Sequence, residues 1–181
     1  MNLIRTSIPD VLVLQPAVHV DARGWFLESF NRRTFAAATG VDVEFVQDNH
    51  SCSVAGTLRG LHYQISQPQA KLVRVIRGEI FDVAVDLRRS SPTFGKWAGR
   101  MLSAQNREMT WIPQGFAHGF LVLSDQAEVL YKTSDYYQPA SERSILWNDA
   151  TLGIVWPRVN SLLMSDKDRS AARFVDAEVF E

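Results

Sequence analysis

The 181-residue sequence predicts an all-β fold, a sandwich or barrel built from short strands. Three observations carry that expectation. Segments 94–102, 109–112, 116–123, 127–134 and 143–147 are all short, with turn residues between most of them. Within 79–87, Phe81, Val83, Val85 and Leu87 alternate with Asp82, Ala84 and Asp86, the period of two that a strand requires. Five Trp, ten Phe and four Tyr supply bulk for a barrel interior.

Residues 3–5 and 11–14 read as strands around the turn at Pro9-Asp10. Asp21-Ala22-Arg23-Gly24 is a turn signal feeding an aromatic strand, Trp25–Phe30. Asn31 can cap a short helix reaching about Thr39, and Gly40 can stop it. Glu44-Phe45-Val46 reads as a strand and the polar run Gln47–Ser51 after it as a solvated turn. Leu58–Tyr63 is strand-like, with Gly60 letting the backbone pass close to a neighbour. A Pro/Gln loop over 65–70 returns at the strand Lys71–Ile76. Asp82 and Asp86 share a strand face, and pairing with Arg or Lys on adjacent strands is the expectation for both. Trp156-Pro157 closes the β region, and Ser165-Asp166-Lys167-Asp168 introduces a C-terminal helix through about Arg173. With no repeat, low-complexity tract or flexible linker, residues 1–181 read as one domain.

Composition narrows the function. A net charge of -1, from 19 basic and 20 acidic residues, gives no bulk pull towards nucleic acid or an anionic membrane. No run of 18 apolar residues occurs, so no membrane-spanning helix is expected. The N-terminus does not read as a secretory signal, and Cys52, the only cysteine, allows no intrachain disulfide. A cytoplasmic location is the expectation.

Two histidines stand in similar apolar frames, His62 in Leu58-Arg59-Gly60-Leu61-His62-Tyr63 and His118 in Ile112–Phe120. Tyr131 lies on a third strand-like segment, and a base, a second imidazole and a phenol on separate strands suit proton transfer inside a barrel. Pro113-x-Gly115-x-x-His118 resembles the second motif of cupin-type jelly-roll barrels. The His-x-His pair of their first motif is missing, since His62-Tyr63-Gln64 offers a single imidazole. Two His fall short of the three or four ligands a transition metal wants, so no metal and no cofactor are expected.

Further segments extend the likeness: Arg23–Glu28, Phe45–Ser51, Lys71–Arg74, Gly78–Asp86, Leu130-Tyr131-Lys132 and Ser144–Asp149. Together, in order and over nearly the whole chain, they resemble the dTDP-4-dehydrorhamnose 3,5-epimerases. The resemblance implies a cofactor-independent cupin-type barrel with short flanking helices, including a C-terminal one. It implies a homodimer acting on dTDP-4-keto-6-deoxy-D-glucose, with some contacts reaching across the dimer. His62 becomes the proton acceptor, Tyr131 the proton donor and Asp168 the partner of His62. Lys71 and His118 line the sugar site, with Lys167 at the substrate. Arg23, Glu28, Gln47, Asp48, Asn49, Arg59 and Glu142 fall on nucleotide and sugar contacts. Phe26 with Tyr136 or Tyr137 can sandwich the thymine. Rival readings are a single-position epimerase or ketoisomerase, a metal-dependent cupin oxygenase, and a non-catalytic sugar-nucleotide binding module.

The chemistry explains these residue types. Protons on carbons 3 and 5 are acidic because the adjacent keto group takes up the charge as an enolate. One base of near-neutral pKa is needed, and a carboxylate on its other nitrogen fixes the tautomer. Lys71, with His118 in support, is the candidate for the developing oxyanion, and Tyr131 suits the acid on the opposite face. Without the family likeness, Ser165-x-x-Asp168 reads only as a capping box, Tyr131 as a core ring and Lys71 as an edge charge.

Overall fold

Two antiparallel sheets face one another, and the chain crosses between them repeatedly. A computed structural model describes residues 1–181. Strands β1 (Asn2–Arg5) and β2 (Leu12–Gln15) pair, as do β3 (Val18–Asp21) and β4 (Gly24–Leu27). Helix α1 (Arg32–Thr39) follows, then β5 (Gln47–Val54), β6 (Leu58–Gln64), β7 (Lys71–Arg77) and β8 (Glu79–Asp86). After them come β9 (Trp97–Ser103), β10 (Met109–Ile112), β11 (Phe116–Val122), β12 (Gln126–Thr133), β13 (Glu142–Ser144) and helix α2 (Asp166–Arg169). One sheet has the order β1-β2-β10-β7-β12-β5 and the other β13-β6-β11-β8-β9, while β3 and β4 form a separate ribbon. This is a jelly-roll barrel of the cupin type.

Three apolar layers hold it. Val73, Val75, Ile80, Ala84, Phe116, Phe120 and Val129 fill the space between the sheets. Leu61, Tyr63, Val83, Val85, Leu87 and Ile145 cover the outer face of the five-stranded sheet, beneath Phe174 and Phe180 of the C-terminal segment. Phe35 of α1, fully buried, covers the other sheet with Leu12, Leu14, Leu72, Met109 and Trp111. Covered on both faces, β11 is buried at all seven positions, which is why Phe116–Val122 shows no alternation in sequence. In β8 the expected alternation holds: Val83 and Val85 face the outer layer, Ile80 and Ala84 the inner one.

The caps of α1 form as expected, with the Asn31 side chain accepting from the Arg33 and Thr34 amides and Gly40 in the left-handed conformation. Five expectations need correction. The run Gln47–Ser51 is no turn but the first half of β5, paired along its length with β12 from Gln47↔Thr133 to Val54↔Gln126; Glu44–Val46 is not a strand. Its polar character reflects exposure of one face, since burial alternates residue by residue. The aromatic strand ends at Leu27, and its partner β3 was not foreseen. Helix α2 stops at Arg169 rather than Arg173, because the chain turns to bridge Ala172 to Ile145. The two acids of β8 do not pair with Arg or Lys on neighbouring strands: Asp82 meets His118 of β11, and Asp86 meets Arg88 two residues on.

Gly60 has a definite task. A Cβ there would sit 2.6 Å from Gly119 Cα, so only glycine lets β6 lie this close to β11. That close approach sets the register in which His62 faces His118 across the pair.

Candidate active site

Between the sheets opens a cavity of about 340 Å³. The five-stranded sheet presents His62, Gln64 and Glu142 to it, and the six-stranded sheet presents Gln47, Asn49, Lys71 and Tyr131. Gln69 and Tyr137 close its rim. His62 and Tyr131 thus stand on opposite walls.

Strand alternation sends Leu61 and Tyr63 into the outer layer and leaves the His62 ring at the cavity. His62 Nε2 lies 2.5 Å from Asp168 Oδ1. The one-turn helix α2 delivers that carboxylate: Ser165 Oγ accepts from the Asp168 amide, and Asp168 is 3 % exposed. Burial pushes the Asp168 carboxyl up, but hydrogen bonds from His62, Ser165 and the Gly60 amide outweigh it and hold the group below the usual carboxylate range. An ionised Asp168 accepts the Nε2 proton, so Nδ1 carries the lone pair of neutral His62.

A second imidazole–carboxylate pair lies beside the first. His118 Nε2 is 2.6 Å from Asp82 Oδ1, and both residues are buried. Burial lowers the His118 pKa despite the neighbouring Asp82, favouring the neutral ring. With its proton on Nε2, a neutral His118 offers an acceptor at Nδ1. His118, expected in support of Lys71 at the oxyanion, spends its Nε2 on Asp82.

Lys71 opens β7 and is buried, which drops its pKa to about 8, while Asp82 and Glu142 pull it back upward. Tyr131 is pushed up by burial, partly opposed by Arg59, and so holds its proton at neutral pH. Tyr137 donates to Glu142 at 2.7 Å, and Lys167 pairs with the same carboxylate. Gln47 bonds Asn49 at 2.9 Å and accepts from the Tyr137 amide. Arg59 spends its Nε on Ser53 at 3.0 Å, leaving its terminal nitrogens free of intrachain partners.

Other expected residues are not brought to this cavity. Asp48 lies on the opposite face of β5 from Gln47 and Asn49, where period-two alternation directs it outward to a salt bridge with Lys132. Arg23 pairs with Asp21 on the exposed β3–β4 ribbon, and Phe26 there is 68 % exposed. Glu28 accepts from Asn31 and Thr34 at the start of α1. Arg23 and Phe26 border a separate cleft. Tyr136 and Tyr137 are exposed rather than core rings. Asp82, Gln64 and Gln69 had not been named as site residues. Asp82 was legible in principle, since the same alternation that turns Val83 outward turns its neighbour inward. No three His, Cys, Asp or Glu side chains converge as a metal-ligand cluster.

The family model for dTDP-4-dehydrorhamnose 3,5-epimerase matches residues 5–176. The chain belongs to this epimerase family. It is 59% identical over 181 residues to the dTDP-4-dehydrorhamnose 3,5-epimerase of Shigella flexneri, covering 99% of both chains. To the enzyme of that name from Pseudomonas aeruginosa it is 58% identical over 180 residues, again covering 99% of each. Among solved structures, the Legionella pneumophila epimerase in complex with dTDP-4-keto-L-rhamnose superposes with a TM-score of 0.96 at 48% identity, covering 98% of this chain and 94% of that one. Membership of the epimerase family makes the chain an isomerase, and the facing His62 and Tyr131 are the pair on which such chemistry can run. No helix is long and apolar enough to cross a membrane.

Proposed function

We propose that this single-domain chain is a dTDP-4-dehydrorhamnose 3,5-epimerase, inverting carbons 3 and 5 of dTDP-4-keto-6-deoxy-D-glucose to give dTDP-4-keto-L-rhamnose. The observation that carries the reading is the opposition of His62, oriented by Asp168, and protonated Tyr131 across one cavity. His62 Nδ1 takes the proton from the carbon beside the keto group. The electron pair moves onto the keto oxygen, and the Lys71 ammonium stabilises that oxyanion in a site screened from water. Tyr131 delivers a proton from the other wall, so the centre inverts; water then takes the proton from His62 and restores the one on Tyr131, and the same groups serve the second carbon. Gln47, Asn49, Glu142 and Lys167 orient the sugar, and the free guanidinium nitrogens of Arg59 meet the diphosphate.

Two copies complete the site in this reading. Arg23, Phe26 and Glu28 lie away from their own chain's cavity, and Val20, Trp25 and Phe26 expose apolar surface on the same ribbon. In a twofold dimer each ribbon supplies those side chains to the partner's cavity, Phe26 stacking on the thymine opposite Tyr137. Mixing inactive His62→Ala with an Arg23→Ala, Phe26→Ala variant should then restore turnover, because one site of the mixed dimer is intact. A cytoplasmic location fits a chain with one exposed, free cysteine.

The test is conversion of the ketosugar nucleotide by the purified chain in the presence and absence of EDTA, followed by NMR. Product inverted at both carbons, indifferent to the chelator, is expected. Inversion at one carbon, or loss of activity with EDTA, would give the single-position epimerase or the metal-dependent oxygenase the better claim.

A further inference from the structure

Asp82 is a buried carboxylate with one of its two oxygens unpartnered. It is 2 % exposed in the middle of β8, with Oδ1 on His118 and Oδ2 buried without any hydrogen-bond partner. A buried carboxylate oxygen left in that state costs about 1–3 kcal/mol or more, so something must hold it there. Register explains the His118 contact: His118 is level with Ala84 on the adjacent strand, which makes Asp82 its diagonal neighbour on the same face. On the facing sheet stands Lys71, buried, with no salt bridge of its own but within the field of Asp82.

We propose that Asp82 is a positioning residue for the reaction: it is the buried counter-charge that keeps Lys71 an ammonium ion, and it fixes the tautomer of His118, to which it is bonded. The inference rests on the reading of Lys71 as the group that meets the oxyanion. Asp82 touches no substrate in this arrangement and acts through its two neighbours. The lack of an ion pair suits that task, since a direct pair would hold the ammonium back on the protein, whereas an unpaired Lys71 keeps its N–H groups for the substrate oxygen. The charged and titratable groups around Lys71 are Asp82 on β8, His118 on β11, His62 on β6, Glu142 on β13 and Tyr131 on β12. Of these, Asp82 and Glu142 raise the Lys71 pKa, and Glu142 is already engaged by Lys167 and Tyr137.

The experiment is the pH profile of kcat/KM for wild type, Asp82→Asn and Asp82→Glu with the ketosugar nucleotide. Wild type should lose activity on the alkaline side near pH 8, where Lys71 gives up its proton. Asp82→Asn should move that limb down by about one pH unit or more, and Asp82→Glu should return it towards the wild-type position. Replacing Lys71 by Arg in the Asp82→Asn background should abolish the alkaline limb, because a guanidinium keeps its proton. A loss in Asp82→Asn that is equal at every pH, with the limb unmoved, would make Asp82 a purely structural residue and overturn the inference. Should Asp82→Asn not fold, His118→Asn decides: with Asp82 released to Lys71, the limb must hold or rise, and a fall contradicts the proposal. Absence of turnover in wild type would instead sink the functional reading itself.

Discussion

Asp82 and Asp86 stand four residues apart on one face of β8, both buried, yet they do opposite work. Asp86 is saturated: it accepts from Arg88 through two side-chain nitrogens and the backbone amide, and from Ser91 and Thr93. Asp82 has one partner and one bare oxygen. A satisfied carboxylate locks a corner of the scaffold, while an unsatisfied one keeps an electrostatic field in a cavity. The difference separates a scaffold end of the barrel, around Asp86 and Arg88, from a reactive end, around His62, His118, Lys71 and Tyr131.

The sharpest way to break that division is His62→Asn. Turnover should fall by about 10²–10⁴-fold, with far less change in the unfolding midpoint than a scaffold substitution gives. A large loss of stability with residual turnover would erase the distinction. At the other end, Asp86→Asn should cost about 3 kcal/mol in urea unfolding, because the charge that Arg88, Ser91 and Thr93 all donate to is lost and Arg88 keeps only Asp10, and leave kcat per folded molecule unchanged. Its pH dependence has a defined sign. Burial pushes the Asp86 carboxyl up, but the bonds from Arg88, Ser91 and Thr93 prevail and bring it down to about 2, below its ordinary 3.8. That stabilisation is complete above the unfolded-state pKa and is lost as pH falls towards 2. The gap between wild type and Asp86→Asn should therefore narrow by on the order of 2 kcal/mol between about pH 4 and pH 2.

Smaller effects refine the reactive end. Tyr131→Phe should slow inversion more than proton abstraction, so isotope washes out of recovered substrate while inverted product lags about tenfold or more behind. Equal slowing of both would remove Tyr131 as the acid. Arg59→Ala should raise KM by about tenfold with a smaller change in kcat, since a diphosphate contact serves ground and transition state alike.

Much of this was legible in the sequence, for identifiable reasons. The β8 alternation, the Asn31 and Gly40 caps and the His62 strand announced themselves because local periodicity and cap chemistry suffice to specify them. The β5 strand was hidden because Gln47 and Asn49 line a polar cavity, and a wet interior imitates a loop. Asp168 reads locally as a helix cap, and only the family resemblance paired it with His62, 106 residues away, since no local pattern encodes that contact. The partners of Asp82 and Asp86 were missed because diagonal strand neighbours and a two-residue return depend on register and on the turn after β8. Asp48 faces away from that cavity for the plainest reason, a single step along a strand.

The central claim is that one imidazole, His62, opens both carbon centres. It is tested most directly by running the reaction in heavy water and locating deuterium in the product sugar by NMR. Deuterium at carbons 3 and 5 with wild type, and at neither with His62→Ala, is the predicted result. Continued exchange at either carbon in His62→Ala would show that another base does the work, and the account would fall.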